Sequence, residues 1–301
     1  MKTAMRSAPV PTLRTLSIEK MRSYWLLSKP RVTILVWLTT VAGLVLGAWG
    51  QSVSGTLILF TLLGSWLVIA SANALNQALE WTQDAQMTRT AGRPIPTGRV
   101  RLHEGWIVGI VWGVLGVAVL AIFANLLVAL LGLVSILSYA FAYTPLKRYT
   151  HLCTAIGAIP GAMPPLAGWV AVTGAVSPEA FLLFIIQYLW QFPHFWAIAW
   201  LNREDYARVG FHMLPYAGAD GAGTSRLVLW YTVMLVCFSA VMGFYLSKPW
   251  LYLVGVVLLG AWHLHKSLQF YRSRDRQGAR GVLMASVLYL PLLLIWVIIS
   301  R

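Results

Sequence analysis

Long apolar stretches separated by short polar segments run through the whole of this chain. Runs close to the ~20 residues that cross a bilayer recur along it, and each predicts a membrane-spanning helix. These spans lie at about 32–50, 55–79, 104–122, 124–143, 152–173, 180–201, 227–247, 250–265 and 282–300. The third and fourth meet at Ala124-Asn125, so their connection must be very short. The pattern predicts an all-α fold, a polytopic membrane helix bundle of about nine transmembrane helices.

Composition and charge agree with this architecture and orient it. The 301 residues are 58% hydrophobic and 11% charged, whereas soluble proteins carry roughly twice that charged fraction. Of the 23 Lys and Arg residues, 21 lie in alternate polar segments, at 1–31, 80–103, 144–151, 202–226 and 266–281. By the positive-inside rule these segments, and with them the N-terminus, are cytoplasmic. The formal net charge of +14 therefore follows from topology, and we expect no nucleic-acid partner.

The chain divides into a cytoplasmic N-terminal tail, residues 1–28, and a single intramembrane domain, residues 29–301. The first residues have no apolar core, so they are not a secretory signal peptide. Glu19 also argues against a mitochondrial presequence. We therefore predict a multi-pass protein of the bacterial cytoplasmic (inner) membrane, with the mitochondrial inner membrane as the less favoured alternative.

One polar cluster follows the second span, in the sequence "NQALEWTQDAQMTRTAGRPIPTGR" at 76–99. Asn76, Glu80 and Asp84 are spaced i, i+4, i+8, which places three oxygen-bearing side chains on one helix face. Mg²⁺ prefers such oxygen ligands, usually together with substrate phosphates. The alternative interpretation is a helix end capped in water. Arg89 and Arg93 follow, and because arginine binds phosphate in bidentate fashion, the combination favours a diphosphate bridged by Mg²⁺.

Two further clusters lie at the cytoplasmic ends of later spans. In "YAFAYTPLKRYT" (139–150), Tyr139, Tyr143 and Lys147 step by four residues and Arg148 follows. The two tyrosines either line a pocket or belong to an ordinary aromatic belt at the membrane interface. In the sixth span, Gln187, Gln191 and His194 lie on a stripe that a continuous helix would carry on to Asp205. Polar groups inside a membrane helix are costly and usually face an interior or a cavity, although a lone histidine often only bonds a neighbouring helix.

These motifs resemble those of the UbiA-type intramembrane prenyltransferases. Asn76-x3-Glu80-x3-Asp84 followed by "MTRTAGRPIPTG" is similar to the first Asp-rich motif of that family. "KPRVTILV", "YTPLKRYT", "GAIPGAMPPLAGWVAVTG" and "WQFPHFWAIAWLNREDYARVGFHMLP" resemble its heme-farnesylating branch, and the resemblance covers about residues 29 to 300. Two departures stand out. Glu80 replaces the usual Asp, and the second Asp-rich motif is reduced to Glu204-Asp205, which leaves a second Mg²⁺ in doubt.

The resemblance implies an Mg²⁺-dependent transfer of a farnesyl group from farnesyl diphosphate to a vinyl carbon of heme b, with addition of water. Heme b is then a substrate rather than a cofactor. The expected site residues fall into four groups: catalytic Asn76, Glu80, Asp84, Lys147 and Asp205; diphosphate-binding Arg89, Arg93, Lys147 and Arg148; heme-binding His194, Gln191, Tyr139 and Tyr143; and Mg²⁺-binding Glu80, Asp84 and Asn76 through the diphosphate. The lipid bilayer is the surrounding partner, and a heme A synthase or terminal oxidase assembly is a candidate protein partner.

Two other functions are compatible with the same pattern. A prenyltransferase of this type acting on a quinone-ring precursor or a chlorin would share the diphosphate site, but "QFPHF" at 191–195 argues against it. A non-catalytic heme or lipid transporter would need polar groups along a path to the far side of the membrane. There the spans offer little beyond Glu179 and Lys248.

Overall fold

The computed structural model describes residues 13–215 and 221–301, and within these ranges every regular element is helical. Its helices are α1 Leu13–Leu27, α2 Pro30–Gly47, α3 Gly55–Leu79, α4 Trp81–Gln86, α5 Leu102–Phe123, α6 Leu126–Leu137, α7 Thr144–Leu146, α8 Cys153–Thr173, α9 Pro178–Leu201, α10 Arg203–Arg208, α11 Ala222–Val241, α12 Pro249–Ser273 and α13 Arg276–Ser300. A π-helical turn, Ser138–Tyr143, joins α6 to α7, and a 3₁₀ turn, Met242–Tyr245, follows α11.

In the described part of the chain, nine helical stretches are long and apolar enough to cross a membrane. The fourth comprises α6, the π-helical turn and α7 together, and the seventh runs from α11 through the 3₁₀ turn. The predicted number of spans is confirmed. The last two helices are longer than the predicted spans, because α12 continues to Ser273 and α13 already begins at Arg276. The polar stretch between them is therefore mostly helix, closed by a two-residue turn.

The third and fourth spans are joined as directly as the sequence requires. Between α5 and α6 lie only Ala124 and Asn125. Asn125 Oδ1 accepts a hydrogen bond from the Val128 N–H at 2.9 Å, which caps α6. Its Nδ2 donates to the Val170 carbonyl at 2.9 Å and so fixes this turn to α8. The backbone N–H groups of a first helical turn have no partner within the helix, and a short polar side chain at the N-cap commonly accepts a hydrogen bond from one of them.

Helix α8 holds the two halves of the bundle together. It packs against α2, α3 and α6 of the first half and against α9 of the second, while α9 contacts α11 and α13. Of the nine spans, α8 has the largest buried share, 61% of its most apolar window. It approaches α2 closely through Gly43 and Gly168, where a Cβ would meet the backbone of Pro165 and Thr40. Small residues allow this kind of contact between membrane helices.

The outer surface of the bundle is apolar, as lipid contact requires. Four aliphatic side chains on one side of α5 are 47–64% exposed: Ile107, Ile110, Val111 and Val114. Many polar side chains are instead buried between helices, where a large share of them bond to one another or to backbone carbonyls.

Candidate functional site

The predicted acidic stripe lies where α3 gives way to α4. Asn76 lies in the last turn of α3, Glu80 separates the two helices, and Asp84 lies in the first turn of α4. The chain hardly departs from helical geometry, since the Asp84 N–H still donates to the Glu80 carbonyl at 2.8 Å. All three side chains are buried, with exposures of 2%, 3% and 0%. The alternative of carboxylates capping a helix end in water does not describe these groups.

Lys147, just after α7, neutralises Glu80. Its Nζ lies 2.8 Å from Glu80 Oε1 and 3.0 Å from Oε2. Asn76 Nδ2 donates to Glu80 Oε2 at 2.9 Å and to Thr144 Oγ1 at 3.0 Å, so it ties α3 to the start of α7. Burial is the largest single effect and disfavours the charged form of Lys147, but the charge and hydrogen bond of Glu80, together with Tyr143 and Tyr139, raise the pKa of the lysine above its usual value. The lysine therefore remains a cation beside the carboxylates.

Arg93 neutralises Asp84 on one side only. The guanidinium Nη1 donates to Asp84 Oδ2 at 2.5 Å. The other oxygen, Asp84 Oδ1, is buried and has no hydrogen-bond partner within the described ranges. A buried carboxylate oxygen without a partner is costly. It is the type of ligand that a hard cation takes, so Asp84 and the neighbouring Glu80 fit a Mg²⁺ ion.

A third cation, Lys29, was missed by the sequence-based assignment. It lies just before α2 with φ of 50°, and its Nζ donates to Asn76 Oδ1 at 2.8 Å. Among the described residues no carboxylate pairs with it. Burial, together with the charges of Arg93 and Lys147, lowers the pKa of Lys29 well below its usual value. The motif "KPRVTILV" contains this lysine. Because Lys29 and Asn76 are 47 residues apart in the chain, no local sequence pattern predicts their contact.

We call these six residues the carboxylate cluster: Lys29, Asn76, Glu80, Asp84, Arg93 and Lys147. With Glu80, Asp84, Arg93 and Lys147 charged and Lys29 neutral, its formal charge is zero, and protonation of Lys29 beside an anion brings it to +1. Such a cluster is internally neutralised while retaining an attraction for an anion. An incoming diphosphate can exchange places with the carboxylates around Arg93 and the two lysines, which frees carboxylate oxygens for a metal.

A second, more exposed group connects the segment after α4 with α10. Asp205 accepts hydrogen bonds from Thr88 Oγ1 at 3.3 Å and the Arg89 N–H at 3.4 Å, and pairs with Arg208 at 2.9 Å. Burial is the largest single effect and opposes ionisation, but the hydrogen bonds from Thr88 and Arg89 and the Arg208 charge together lower the pKa of Asp205. Arg148 Nη2 donates to Gln83 Oε1 at 2.9 Å and so covers the outer face of α4. The predicted residues Arg89, Arg148 and Asp205 thus lie around α4 rather than inside the carboxylate cluster.

The paired tyrosines lie beside Lys147 on the π-helical turn. The rings of Tyr139 and Tyr143 are 5.1 Å apart, and Lys147 Nζ lies 4.3 Å from the Tyr143 ring centre. Tyr143 packs onto Gly157 of α8 so closely that a Cβ there would lie 2.6 Å from the ring. π-Helical turns inside α-helices often occur at functional sites. The tyrosines therefore join the site, although Lys147 already occupies the neighbourhood of one ring.

The sixth span does not carry its polar residues as one continuous stripe. Helix α9 ends at Leu201 and α10 begins at Arg203, so the expectation of a single helix running from Gln187 to Asp205 is wrong. Asn202 interrupts it, because its Nδ2 folds back onto the Ile198 carbonyl at 2.7 Å. Asp205 therefore belongs to a separate short helix.

Gln191 and His194 also turn to different neighbours. Gln191 Nε2 donates to the carbonyls of Ala158 at 2.9 Å and Gln187 at 3.1 Å, on the α8 side. His194 instead faces α13, where its Nδ1 lies 2.9 Å from Ser286 Oγ. Trp190 stacks on the imidazole with ring centres 4.6 Å apart. Pro193 lies between the two residues within α9.

A second histidine, His263 of α12, packs against Tyr289, which lies on α13 one turn beyond Ser286. The ring centres of His263 and Tyr289 are 5.4 Å apart. His263 is fully buried, and neither ring nitrogen has a hydrogen-bond partner among the described residues. We call Trp190, His194, His263, Ser286 and Tyr289 the histidine region. Sequence reasoning assigned a role only to His194 of these five. His263, Ser286 and Tyr289 occur in apolar spans without a motif, and Trp190 begins a quoted motif but carries no polar signal of its own.

The match to known families covers most of the chain. The model of the UbiA prenyltransferase family matches residues 36–297. A protein of Solibacter usitatus named protoheme IX farnesyltransferase is 41% identical over 281 residues, covering 91% of this chain and 96% of the relative. A protein of Koribacter versatilis with the same name is 39% identical over 291 residues, covering 93% of this chain and 94% of the relative.

Solved structures share the fold at much lower identity. A digeranylgeranylglyceryl phosphate synthase structure aligns with a TM-score of 0.77 at 17% identity, covering 94% of this chain and 98% of that one. A UbiA homologue from Archaeoglobus fulgidus, bound to DMAPP and Mg²⁺, aligns with a TM-score of 0.65 at 15% identity, covering 91% and 99% of the two chains. At these identities the likeness establishes the fold alone.

Proposed function

The chain belongs to the UbiA prenyltransferase family, and from that premise we propose that it transfers a farnesyl group from farnesyl diphosphate to a vinyl group of heme b. The observation that carries the choice of substrates is the identity of 39–41% to proteins named protoheme IX farnesyltransferase, over more than nine-tenths of this chain. The carboxylate cluster supplies the physical basis for binding the donor. The product is heme O, which carries a hydroxyethylfarnesyl chain.

The basic residues of the carboxylate cluster bind the diphosphate group of the donor. Lys29, Arg93 and Lys147 approach from three different parts of the chain and surround Asn76, Glu80 and Asp84. In a site removed from bulk water, these charges act more strongly on a dianionic group than they would in solvent. Arg89 and Arg148, which lie around α4, add positive charge at the cytoplasmic rim.

Glu80 and Asp84 are the residues that would hold Mg²⁺, with Asn76 in support once Lys29 releases its amide oxygen. Asp84 Oδ1 is the oxygen best prepared for this role, since it is buried and unpartnered in the described structure. When bound, the ion neutralises the negative charge that develops on the departing diphosphate. The A. fulgidus homologue of this fold contains Mg²⁺ together with a prenyl diphosphate, which supports the proposal.

The reaction begins with heterolysis of the allylic C–O bond, and the diphosphate leaves with the bonding electron pair. Lys29, Arg93 and Lys147 stabilise that charge as it forms, which is the effect expected of preorganised donors. The π electrons of the heme vinyl group then form the new C–C bond to the allylic cation. Water adds to the resulting cation next to the porphyrin ring and loses a proton, which gives the hydroxyl group.

The tyrosines and the apolar bundle protect the cation until the vinyl group attacks. Tyr139 and Tyr143 offer aromatic faces, which stabilise a cation at close range. Because Lys147 already lies near the Tyr143 ring, we assign the larger part of this role to Tyr139. Exclusion of water by the surrounding helices prevents hydrolysis to farnesol.

We assign heme b, as the acceptor, to the side of the bundle where His194 lies. His194 is partly exposed on α9, and neutral imidazole is a common ligand of heme iron. Gln191 lies one turn away but is bonded to α8, so we give it the role of shaping the space between α8 and α9.

We further propose that the N-terminus is cytoplasmic, in a bacterial inner membrane, and that the product passes to a heme A synthase or an oxidase assembly. The distribution of Lys and Arg supports this orientation. Reporter fusions after Arg99 and Arg276 are expected to be cytoplasmic, and fusions at Lys248 and Arg301 are expected on the opposite side. A cytoplasmic signal at Lys248 would reverse the orientation.

The function is tested by incubating the purified protein with heme b, farnesyl diphosphate and Mg²⁺ and then measuring the mass of the extracted heme. We expect the mass of heme b plus one farnesyl group and one hydroxyl group. A quinone-ring precursor and a chlorin are offered in parallel reactions. Prenylation of either one without modification of heme would assign a different acceptor, and heme binding without transfer to any acceptor would favour a transporter.

A further inference from the structure

Ser286 of α13 contacts two aromatic side chains of α9 at once. Its backbone carbonyl accepts a hydrogen bond from Trp190 Nε1 at 2.6 Å, and its hydroxyl oxygen lies 2.9 Å from His194 Nδ1. Ser286 itself is fully buried. One residue therefore holds both the imidazole and the indole that stacks on it.

The position of the proton between Ser286 and His194 follows from counting donors. The Ser286 hydroxyl has one hydrogen, and it donates this hydrogen to the Leu283 carbonyl at 2.7 Å. The hydroxyl oxygen can then only accept at its contact with His194, so His194 Nδ1 must be the donor. A neutral imidazole with its proton on Nδ1 presents a lone pair at Nε2.

The remaining ring nitrogen is the one open to a ligand. No residue in 13–215 or 221–301 makes a hydrogen bond to His194 Nε2, and the side chain is partly exposed. Trp190 covers a face of the ring, with an angle of 20° between the two planes, whereas a metal binds in the ring plane. The stacking therefore fixes the imidazole without obstructing Nε2.

His263 shows the contrast within the same region. It also lacks hydrogen-bond partners in the described structure, but its side chain is fully buried between α12 and α13. A macrocycle lying against the bundle has no access to it. Of these two histidines, only His194 combines a fixed tautomer with an accessible nitrogen.

We propose that Ser286 is a positioning residue that holds His194 in its Nδ1–H tautomer, so that Nε2 binds the iron of heme b. Metal-binding histidines commonly donate their second N–H to an acceptor that fixes the ring in this manner. The inference rests on the proposed function, since it takes heme b as the acceptor. Beyond that function, it assigns the orientation of the macrocycle to the contact between Ser286 and His194, with the stacked Trp190 ring in support.

The first test needs no ligand. In protein labelled with ¹⁵N-histidine, the His194 signals, assigned by their loss in His194→Ala, are expected to show a protonated Nδ1 and an unprotonated Nε2. The opposite tautomer in the wild-type protein would overturn the proposal. The tautomer is read from the wild-type protein, so the result does not depend on whether Ser286→Ala folds.

The second test is a titration with heme b, monitored by the Soret band. Ser286→Ala is expected to weaken heme affinity about tenfold or more, as loss of an outer contact to a metal ligand typically does, and to shift the Soret band. Ser286→Thr, which keeps the hydroxyl, is expected to restore both. Ser267→Ala removes another fully buried hydroxyl, on α12, and serves as the matched control that leaves the Soret band unchanged.

Imidazole added to His194→Gly is expected to restore the band shape of the wild-type complex. Unchanged Soret bands and heme affinities in Ser286→Ala and His194→Gly, with farnesylated heme still formed, would overturn the ligand role and leave the proposed function intact. Conversely, the expected spectra without any farnesyl transfer would uphold this inference and remove the proposed function.

Discussion

The carboxylate cluster and the histidine region both place polar groups inside an apolar bundle, but they satisfy those groups by different means. The cluster pairs charges: Glu80 with Lys147, and Asp84 with Arg93. The histidine region uses neutral hydrogen bonds, from His194 to Ser286 and from Tyr289 to Ser239 at 2.9 Å. The first is suited to a highly charged ligand, and the second to an apolar ligand with a single metal ion. The two substrates of the proposed reaction differ in the same respect.

Each region also contains atoms that have no hydrogen-bond partner in the described structure. In the cluster, the carboxylate oxygens Glu80 Oε1 and Asp84 Oδ1 have no hydrogen-bond partner in the described structure, and only the first is in an ion pair, with Lys147. In the histidine region, Nε2 of the partly exposed His194 has no hydrogen-bond partner in the described structure. An oxygen ligand and an imidazole nitrogen select different metals, Mg²⁺ for the first and heme iron for the second. Each region is therefore expected to respond to its own ligand.

The largest expected effect is that of Asp84→Asn on the cluster. The change removes the charge from a carboxylate whose Oδ1 has no hydrogen-bond partner in the described structure, so Mg²⁺ and the departing diphosphate lose their stabilising partner. We expect kcat to fall at least about 100-fold, with heme affinity unchanged. Glu19→Gln makes the equivalent change on an exposed side chain of α1 and is expected to keep full activity. Near wild-type turnover of Asp84→Asn at limiting Mg²⁺ would remove the metal role.

A smaller effect is expected from Lys147→Gln. The substitution removes a cation that binds diphosphate and leaves Glu80 buried without its ion pair. We expect farnesyl diphosphate affinity to fall about tenfold, as for the loss of one charged hydrogen bond, while heme b still binds. Lys266→Gln, at an α12 lysine that donates to Gln269, is the control. An equal loss of affinity for both substrates would mean that Lys147 serves the fold rather than the diphosphate.

The smallest effect is expected at the contact between α8 and the tyrosines. Gly157→Ala inserts a methyl group against the Tyr143 ring, and overpacking of this kind costs about 1–3 kcal/mol of the free energy of unfolding. The Tyr143 ring must shift from its present contact with Lys147, so a modest fall in kcat is expected together with the loss of stability. Gly55→Ala, where a Cβ meets no atom within 4 Å, is the control. Unfolding of Gly157→Ala at the wild-type denaturant concentration would show that this contact is loose.

Much of the bundle follows from the sequence, because membrane spans are set by length and apolarity alone. The stripe Asn76, Glu80 and Asp84 also follows, since i, i+4 spacing survives the small irregularity at Glu80. The break after Leu201 does not, because the helical pattern continues through it and the interruption comes from the Asn202 side chain. The helical extensions of α12 and α13 were missed because they are polar and lie beyond the apolar windows.

Residues far apart in the chain were the hardest to find. Lys29 joins the cluster only because α2 packs beside α3, and no local pattern marks it as a ligand. Ser286 is even less visible, since a serine in an apolar span ordinarily bonds its own helix, as this one does to Leu283. Its second contact, with His194, depends on α13 packing against α9. Such pairings are properties of the tertiary fold rather than of sequence spacing.

The central claim is that the carboxylate cluster binds farnesyl diphosphate and the histidine region binds heme b. It is tested most directly by measuring the binding of both ligands to a variant of each region. Farnesyl diphosphate with Mg²⁺ and heme b are titrated separately against Asp84→Asn and His194→Ala. We expect Asp84→Asn to lose affinity for farnesyl diphosphate while its Soret titration with heme b is unchanged. We expect His194→Ala to lose heme affinity and shift the Soret band while farnesyl diphosphate still binds. Equal loss of both ligands in either variant would contradict the assignment of separate sites.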